Sequence, residues 1–424
     1  MRAVIIGTGP AGISAAETLR RLDPACEVTS LSAEPYPPYS PPAMADHFLT
    51  GREETLYWKG VDIAEQLRID ERREAVVSGI DCDNREVVLQ DGGRVGYEAL
   101  IIASGSRLYA PIKGADKPGV LDFKSLKTAN ELVGKVRRSE ASKALIVGAG
   151  LIGVELSLLL VELGLKVTVI ERESWVMPRI LDQETASVVE TALMERGVDL
   201  RLGVSVDEFF GEPEVTSVRL HSGALEHADL FVAATGVKPH VEFLAGTPVA
   251  VGWGVQVDEY MGTPIKDVYA AGDVAEAADL LSGERYVHAI FPNAVAQGRI
   301  AAANALGSKV RYEGAESMNS LKHLGVPVVA IGTIQGADEV VKGGTKGSVR
   351  SLYLKDNRII GVQLALDTSA AGLYRSLMLR RVNVRHYIRE IQSPDFSPAD
   401  SIFTWPSLPH TPLATRATLT SVAS

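Results

Sequence analysis

The sequence predicts an α/β protein of two doubly wound parallel-sheet domains, one inserted in the other, followed by a C-terminal α+β domain. Three observations predict it. A strand, glycine-rich turn, helix, strand and acid occur in that order twice, over residues 2–34 and 143–171. Each copy is followed downstream by a buried-strand pattern that ends in small residues, at 100–106 and 230–236. A further buried strand, 268–273, comes after the second copy is complete, and the pattern changes from residue 311.

In the first copy Arg2-Ala3-Val4-Ile5-Ile6 is a short apolar run, the signature of a strand buried on both faces. Gly7-Thr8-Gly9-Pro10-Ala11-Gly12 follows, and a helical apolar period runs from Ile13 to Leu22. Val28 to Leu31 then reads as a second strand, with Glu34 beyond its end. The second copy repeats this with Lys143 to Val147, Gly148-Ala149-Gly150-Leu151-Ile152-Gly153, a helix from Val154 to Leu163, a strand from Lys166 to Ile170, and Glu171. In such a unit the first glycine permits the tight turn, the second lets backbone approach a pyrophosphate, and the third lets helix pack on strand. The helix N-terminus stabilises phosphate charge, and the acid accepts hydrogen bonds from ribose hydroxyls. Alone, G-x-G-x-x-G also arises from packing. With strand, helix and acid in place twice, both domains read as Rossmann-like and dinucleotide-binding.

Leu100 to Ser106 contains Ala103-Ser104-Gly105, small residues where a chain passes close to a ligand, after a hairpin of Glu86 to Gln90 and Arg94 to Gly96 turning at Asp91-Gly92-Gly93. Leu230 to Gly236 repeats the device with Thr235-Gly236, and Val268 to Asp273 is a strand ending in Gly272-Asp273. This order implies nesting: residues 1–112 and 241–310 form one domain, and residues 113–240 are inserted into it. Residues 311–392 read as α+β. Val326 to Ile334 is a strand, Ser348 to Leu354 and Arg358 to Leu364 form a hairpin, and Ala370 to Arg381 is a helix. Residues 393–424, rich in Ser, Thr, Pro and Ala, read as an extended tail.

Composition narrows the class. The 424 residues are 46% hydrophobic and 23% charged, as in ordinary globular proteins. Forty-three basic residues against 53 acidic ones leave a net charge of -10, which argues against a nucleic-acid partner. Only two cysteines occur, Cys26 and Cys82, far apart. That excludes a disulfide scaffold, a C-x-x-C redox pair and a cysteine-ligated iron–sulfur cluster. No apolar run reaches membrane-spanning length, and a chain that begins directly with a strand is expected to carry no cleaved signal. A cytoplasmic, reducing compartment is the expectation.

The chain resembles the pyridine-nucleotide–disulfide oxidoreductase superfamily over residues 1–390. Matching segments are GTGPAG (7–12) with Glu34, PYPPYSPPAM (35–44), LIIASGS (100–106), GAGLIGVE (148–155) with Glu171, AATGVKP (233–239), AAGD (270–273) and NAVAQGRIAAAN (293–304). It is similar to the branch without a redox disulfide: rubredoxin reductases, ferredoxin reductases of oxygenase systems, and the FAD/NAD portion of nitrite reductases. The resemblance implies glutathione-reductase-type nucleotide-binding domains, with FAD on the first fingerprint and NAD(P)H on the second. It further implies FAD contacts from Ser40, from 103–105, and from Asp273 to the ribityl chain. The helix beginning near Asn293 and Ala294 would meet the pyrimidine edge of the flavin. Glu155, on the first turn of its helix, would be the catalytic residue beside the stacked nicotinamide and flavin. Relatives often pair this acid with a lysine, but Asp46 stands at that position and Pro41 replaces an arginine, which puts the ion pair in doubt. Ser40 and Pro41 also occupy the place where peroxidatic or coenzyme A-disulfide relatives carry a redox cysteine. Thiol chemistry is therefore not expected, and Cys26 and Cys82 read as incidental.

Glu171 favours NADH over NADPH, because a carboxylate repels a 2′-phosphate while bonding a free hydroxyl; Arg172 weakens this slightly. His288 and His323 lie where the third domain would approach the flavin, although a lone histidine is more often structural. Trp405 and His410 in the tail carry no motif. Hydride would pass from NADH to FAD, and electrons would leave to an external acceptor. A protein carrier or partner redox enzyme is the first expectation, and a quinone, dye or oxygen the second. A flavin-binding regulatory subunit is a third reading, from a different class. The third domain in such proteins forms a homodimer interface or remains monomeric.

Overall fold

The computed structural model describes residues 1–321, 325–344 and 347–393. These form two compact units: Met1–Met177 with Leu193–Glu316, and Pro178–Ala192 with the described residues from Ser317 onward.

The first unit holds two five-stranded parallel sheets. In chain order its elements are β1 (Arg2–Ile6), α1 (Pro10–Leu22), β2 (Glu27–Leu31), α2 (Met44–Thr50), β3 (Asp70–Arg72), β4 (Ala99–Ile102) and β5 (Ser106–Leu108). Then come β6 (Val120–Leu121), α3 (Leu126–Arg137), β7 (Lys143–Val147), α4 (Leu151–Glu162), β8 (Lys166–Glu171) and β9 (Asp199–Leu202). β10 (Leu230–Ala233), β11 (Val237–Pro239), β12 (Val268–Ala270) and α5 (Phe291–Ala305) follow, with further strands and short helices between these elements. The first sheet runs β12-β4-β1-β2-β3 and the second β9-β8-β7-β10-β6. The central strands are buried along nearly their whole length, as parallel strands covered on both faces must be.

β12 pairs with β4, Val268 opposite Leu100, so the chain returns to the first sheet after building the second. The crossings between the sheets, β5 outward and β11 back, pair antiparallel with Leu108 opposite Val237. α1 and α5 pack together at Gly298, where an added Cβ would lie 2.1 Å from the Ala11 carbonyl oxygen. An antiparallel three-stranded meander (Val77–Asp81, Glu86–Leu89, Arg94–Gly96) precedes β4, and its first strand is absent from the sequence reading.

The second unit is an antiparallel sheet, ordered β13-β14-β17-β16-β15. Its strands are β13 (Met318–Leu321), β14 (Val328–Gly332), β15 (Glu339–Gly343), β16 (Val349–Lys355) and β17 (Arg358–Ala365). α6 (Ala371–Leu379) packs on β17. The β16–β17 turn places Asp356 and Asn357 at φ of 51° and 58°, the left-handed pair of a tight hairpin turn. His323, Trp405 and His410 lie outside the described residues. No helix among the described residues is long and apolar enough to cross a membrane. The α/β class with two Rossmann-like sheets and an α+β part is as the sequence predicts.

Candidate functional site

Four loops meet at the C-terminal ends of β1, β2, β4 and β12. Gly7 turns at φ +100°, and its amide donates to the Leu31 carbonyl at 2.7 Å. A Cβ on Gly7 would stand 2.2 Å from the Ala103 carbonyl oxygen, and one on Gly12 would stand 2.0 Å from the Gly7 carbonyl oxygen. Gly9, by contrast, faces nothing within 4 Å. The outer glycines are closed off by backbone while the middle one opens on free space, at the point where α1 begins with Pro10 and the buried Ala11. Pro10 suits this place because its missing N–H is one of the helix-end orphans.

Beside this loop, Glu34 accepts from the Tyr39 hydroxyl at 2.7 Å through Oε2, while its Oε1 is buried without a partner. Gly272 lies against Ala11 and Ala294, with room for no side chain (a Cβ would be 2.9 Å from the Ala11 Cβ), and its amide donates to Gln297 at 2.8 Å. Asp273 follows; its Oδ2 accepts from the Ser106 hydroxyl at 2.7 Å and pairs with the Lys124 ammonium at 3.1 Å. The Ser104 hydroxyl and the Gly105 carbonyl bind opposite ends of the His240 peptide, at 2.9 and 3.0 Å. Ser40 is buried, and its amide donates to the Leu56 carbonyl at 2.8 Å. The open Gly9 and the orphaned Glu34 oxygen fit a dinucleotide lying across this cradle, pyrophosphate on the glycine turn and ribose on the acid.

The second sheet repeats the geometry. A Cβ on Gly148 would meet the Ala234 carbonyl oxygen at 2.5 Å, one on Gly153 the Gly148 carbonyl oxygen at 2.0 Å, and one on Gly150 nothing within 4 Å. α4 begins immediately after Gly150, with Leu151 and Ile152 in its first turn. Glu171 is buried; it accepts from the Ala149 amide at 2.8 Å and the Glu173 amide at 3.0 Å, one bond to each oxygen. Each oxygen has a second lone pair for a ribose hydroxyl. Arg172 turns to Glu173 at the surface. Thr235 donates to the Tyr109 carbonyl at 2.6 Å, and the Gly236 carbonyl accepts the Tyr109 amide at 2.9 Å.

Two expectations are corrected. α4 starts at Leu151 and not at Val154, because helical geometry begins directly after the Gly150 cap. Glu155 is therefore half-buried on the second turn, not the first. α5 starts at Phe291, ahead of Asn293, and the buried Asn293 side chain grips the Glu316 backbone at 2.9 and 3.2 Å. α2 packs against α4, and Asp46 accepts from the Thr55 hydroxyl at 3.1 Å. His288, which the sequence puts in the first domain where the third would approach the flavin, lies in the first unit. It bonds Asp279 at 3.0 Å. Burial opposes ionisation of Asp279, but the His288 bond and the Ser282 and Leu281 amides outweigh it and bring its pKa to about 2.

Lys124, Ser106 and Tyr39 are not among the site residues the sequence points to, although Ser106 and Tyr39 lie inside segments it marks, 100–106 and 35–44. Cys26 and Cys82 are free thiols, and burial pushes the pKa of each above its usual value, which suits inert side chains.

Comparisons with known proteins follow the same lines. The family profile described as pyridine nucleotide-disulphide oxidoreductase matches residues 1–298. The rhodocoxin reductase of Rhodococcus erythropolis is 32% identical over 371 residues, 86% of this chain and 86% of its own. An NADH oxidase of Methanocaldococcus jannaschii is 28% identical over 381 residues, 87% of this chain and 85% of its own. Among solved structures, a covalent putidaredoxin reductase–putidaredoxin complex superposes with a TM-score of 0.84 at 24% identity, covering 95% of this chain and 97% of that one, a likeness of fold. With two glycine cradles on two parallel sheets and a family match over most of its length, the chain belongs to the pyridine nucleotide-disulphide oxidoreductase family and is an NAD(P)H-dependent oxidoreductase with FAD and NADH as its cofactors.

Proposed function

We propose that the chain takes electrons from NADH at the second cradle and passes them, through FAD in the first, to an external acceptor that is an electron-carrier protein or partner redox enzyme. The observation that carries this is the repeated cradle combined with two free, separated thiols: two dinucleotide-shaped sites and no internal disulfide to receive electrons. The rhodocoxin reductase likeness supports a carrier as acceptor. The NADH oxidase likeness keeps a small-molecule acceptor as the second reading.

In this reading residues 1–112 and 241–310 hold FAD, 113–240 hold NADH, and the chain works by positioning. Bound FAD supplies the capacity to accept two electrons together and release them singly. Gly7, Gly9 and Gly12, with α1, bring backbone donors to its pyrophosphate, and Glu34 receives a ribose. Asp273, held by Ser106 and Lys124, serves the polyol between ring and phosphate. Ala103 to Gly105 and the start of α5 at Asn293 and Ala294 border the ring. Gly148, Gly150, Leu151, Ile152 and Gly153 bring the same donors to NADH, Thr235-Gly236 lines the far wall, and Glu171 reads its ribose. Glu155 orients the nicotinamide. The compartment this implies is reducing and cytoplasmic.

The test is anaerobic mixing of the purified flavoprotein with NADH, followed by addition of acceptors. Rapid bleaching of the flavin band, then rapid reoxidation by a carrier protein, is the expected outcome. Rapid reoxidation by quinone or oxygen alone would move the assignment to the second reading. Slow bleaching to a long-lived charge-transfer band would favour a regulatory subunit, and no bleaching with either nicotinamide would overturn all three.

A further inference from the structure

The Tyr39 hydroxyl joins two distant parts of the chain. It donates to Glu34 Oε2 at 2.7 Å and accepts from the Leu126 backbone amide at 3.0 Å. Leu126 is the first residue of α3, so this amide is one of the helix-end donors that have no partner within the helix. The cap residue Ser125 spends its side chain on the Thr128 amide at 3.2 Å, which leaves the Leu126 amide to the phenol. A hydroxyl that accepts from a helix end is polarised and donates more strongly through its own hydrogen. Burial, and then the facing Glu34 carboxylate, push the phenol pKa far above its usual value, so the group remains a donor throughout the working pH range.

Glu34 is left asymmetric by this arrangement: Oε2 is engaged, and Oε1 is buried with no partner. The last torsion of a glutamate is soft, so an unheld carboxylate would sample a broad range of planes. We propose that Tyr39 is a positioning residue for the dinucleotide of the first cradle, fixing the Glu34 carboxylate so that Oε1 meets the adenosine ribose hydroxyls. The proposal rests on the assignment of FAD to that cradle. It assigns to the Tyr39 loop a role in reading ribose, beyond that of a strut between the loop and α3.

Equilibrium binding to the apoprotein separates the two roles, using FAD and an FAD analogue whose adenosine lacks the 2′- and 3′-hydroxyls. The wild-type protein is expected to prefer FAD by about tenfold or more, the range of a hydrogen bond to a charged group. Tyr39→Phe is expected to weaken FAD binding by about five- to tenfold, leave the analogue unchanged and bring the preference close to one. Equal weakening toward both flavins would make Tyr39 a strut and overturn the proposal, as would an undiminished preference. Glu34→Gln, which keeps the tyrosine, guards against a folding defect in the first variant. It is expected to lose the same preference, and retention of the preference there would also overturn the proposal. A wild-type protein that binds FAD but does not distinguish the two flavins would remove Glu34 from ribose recognition. A wild-type protein that binds neither would overturn the cradle assignment itself.

Discussion

Glu171 is held by two backbone amides, one on each oxygen, and is almost fully buried, so its position at the rim of the second cradle is fixed before any ligand arrives. A preset carboxylate discriminates in two ways, by bonding ribose hydroxyls and by repelling a 2′-phosphate. Replacing it with alanine removes both. Glu171→Ala is expected to lower kcat/KM for NADH by about 10- to 100-fold, the value of a charged hydrogen bond, with a smaller change or a gain for NADPH. Steady-state kinetics with the two nicotinamides check it, and an unchanged ratio would count against the assigned role. The three glycines of each cradle differ from one another in the same way. Gly148 and Gly153 exclude a side chain because a carbonyl occupies its space, whereas a side chain on Gly150 would project into open space in front of the turn.

At the scale of elements, the contact between α1 and α5 sets the floor of the first cradle. Gly298 lets the Ala11 backbone approach so closely that a methyl group would stand 2.1 Å from its carbonyl oxygen. Gly298→Ala is therefore expected to push the helices apart, costing about 1–3 kcal/mol by overpacking, and to weaken FAD retention because Ala11 and Gly272 move with it. Chemical denaturation with flavin fluorescence reports both effects, and full stability with tight FAD would contradict them. Elements of this kind were legible wherever the signal is local. The strand, turn and helix at 2–22 and 143–162 follow from an apolar run, a glycine spacing and a helical period. The strand Val77–Asp81 was not legible, because its alternation is broken by Gly79 and its exposed face is mixed. Lys124 and Asp273 were invisible as a pair, since 149 residues separate them and only the assembled sheets bring them together. The start of α4 was not legible because the helical backbone begins directly after Gly150, ahead of the apolar period, and α5 begins at Phe291 with Pro292 in its first turn, ahead of the segment that carries the resemblance.

For the whole molecule, the first unit carries both cradles and the second unit has its own sheet and core. A ligand that binds only the native state stabilises it by mass action, about 2.7 kcal/mol at a hundredfold excess over Kd. Calorimetry with and without FAD is thus expected to raise the transition of the first unit by several degrees. A transition that ignores FAD would argue that the cradle does not bind it.

The return of β12 to β4 also has a consequence for synthesis. β4 ends at Ile102, and its outer neighbour begins at Val268. A ribosome adding about 5–20 residues per second needs on the order of ten to thirty seconds to cover that interval. During that time the edge of β4 has no β12 to pair with, and every strand of the second sheet is made before β12 appears. The second sheet is therefore expected to fold on the nascent chain before the first can close, although the first was begun earlier.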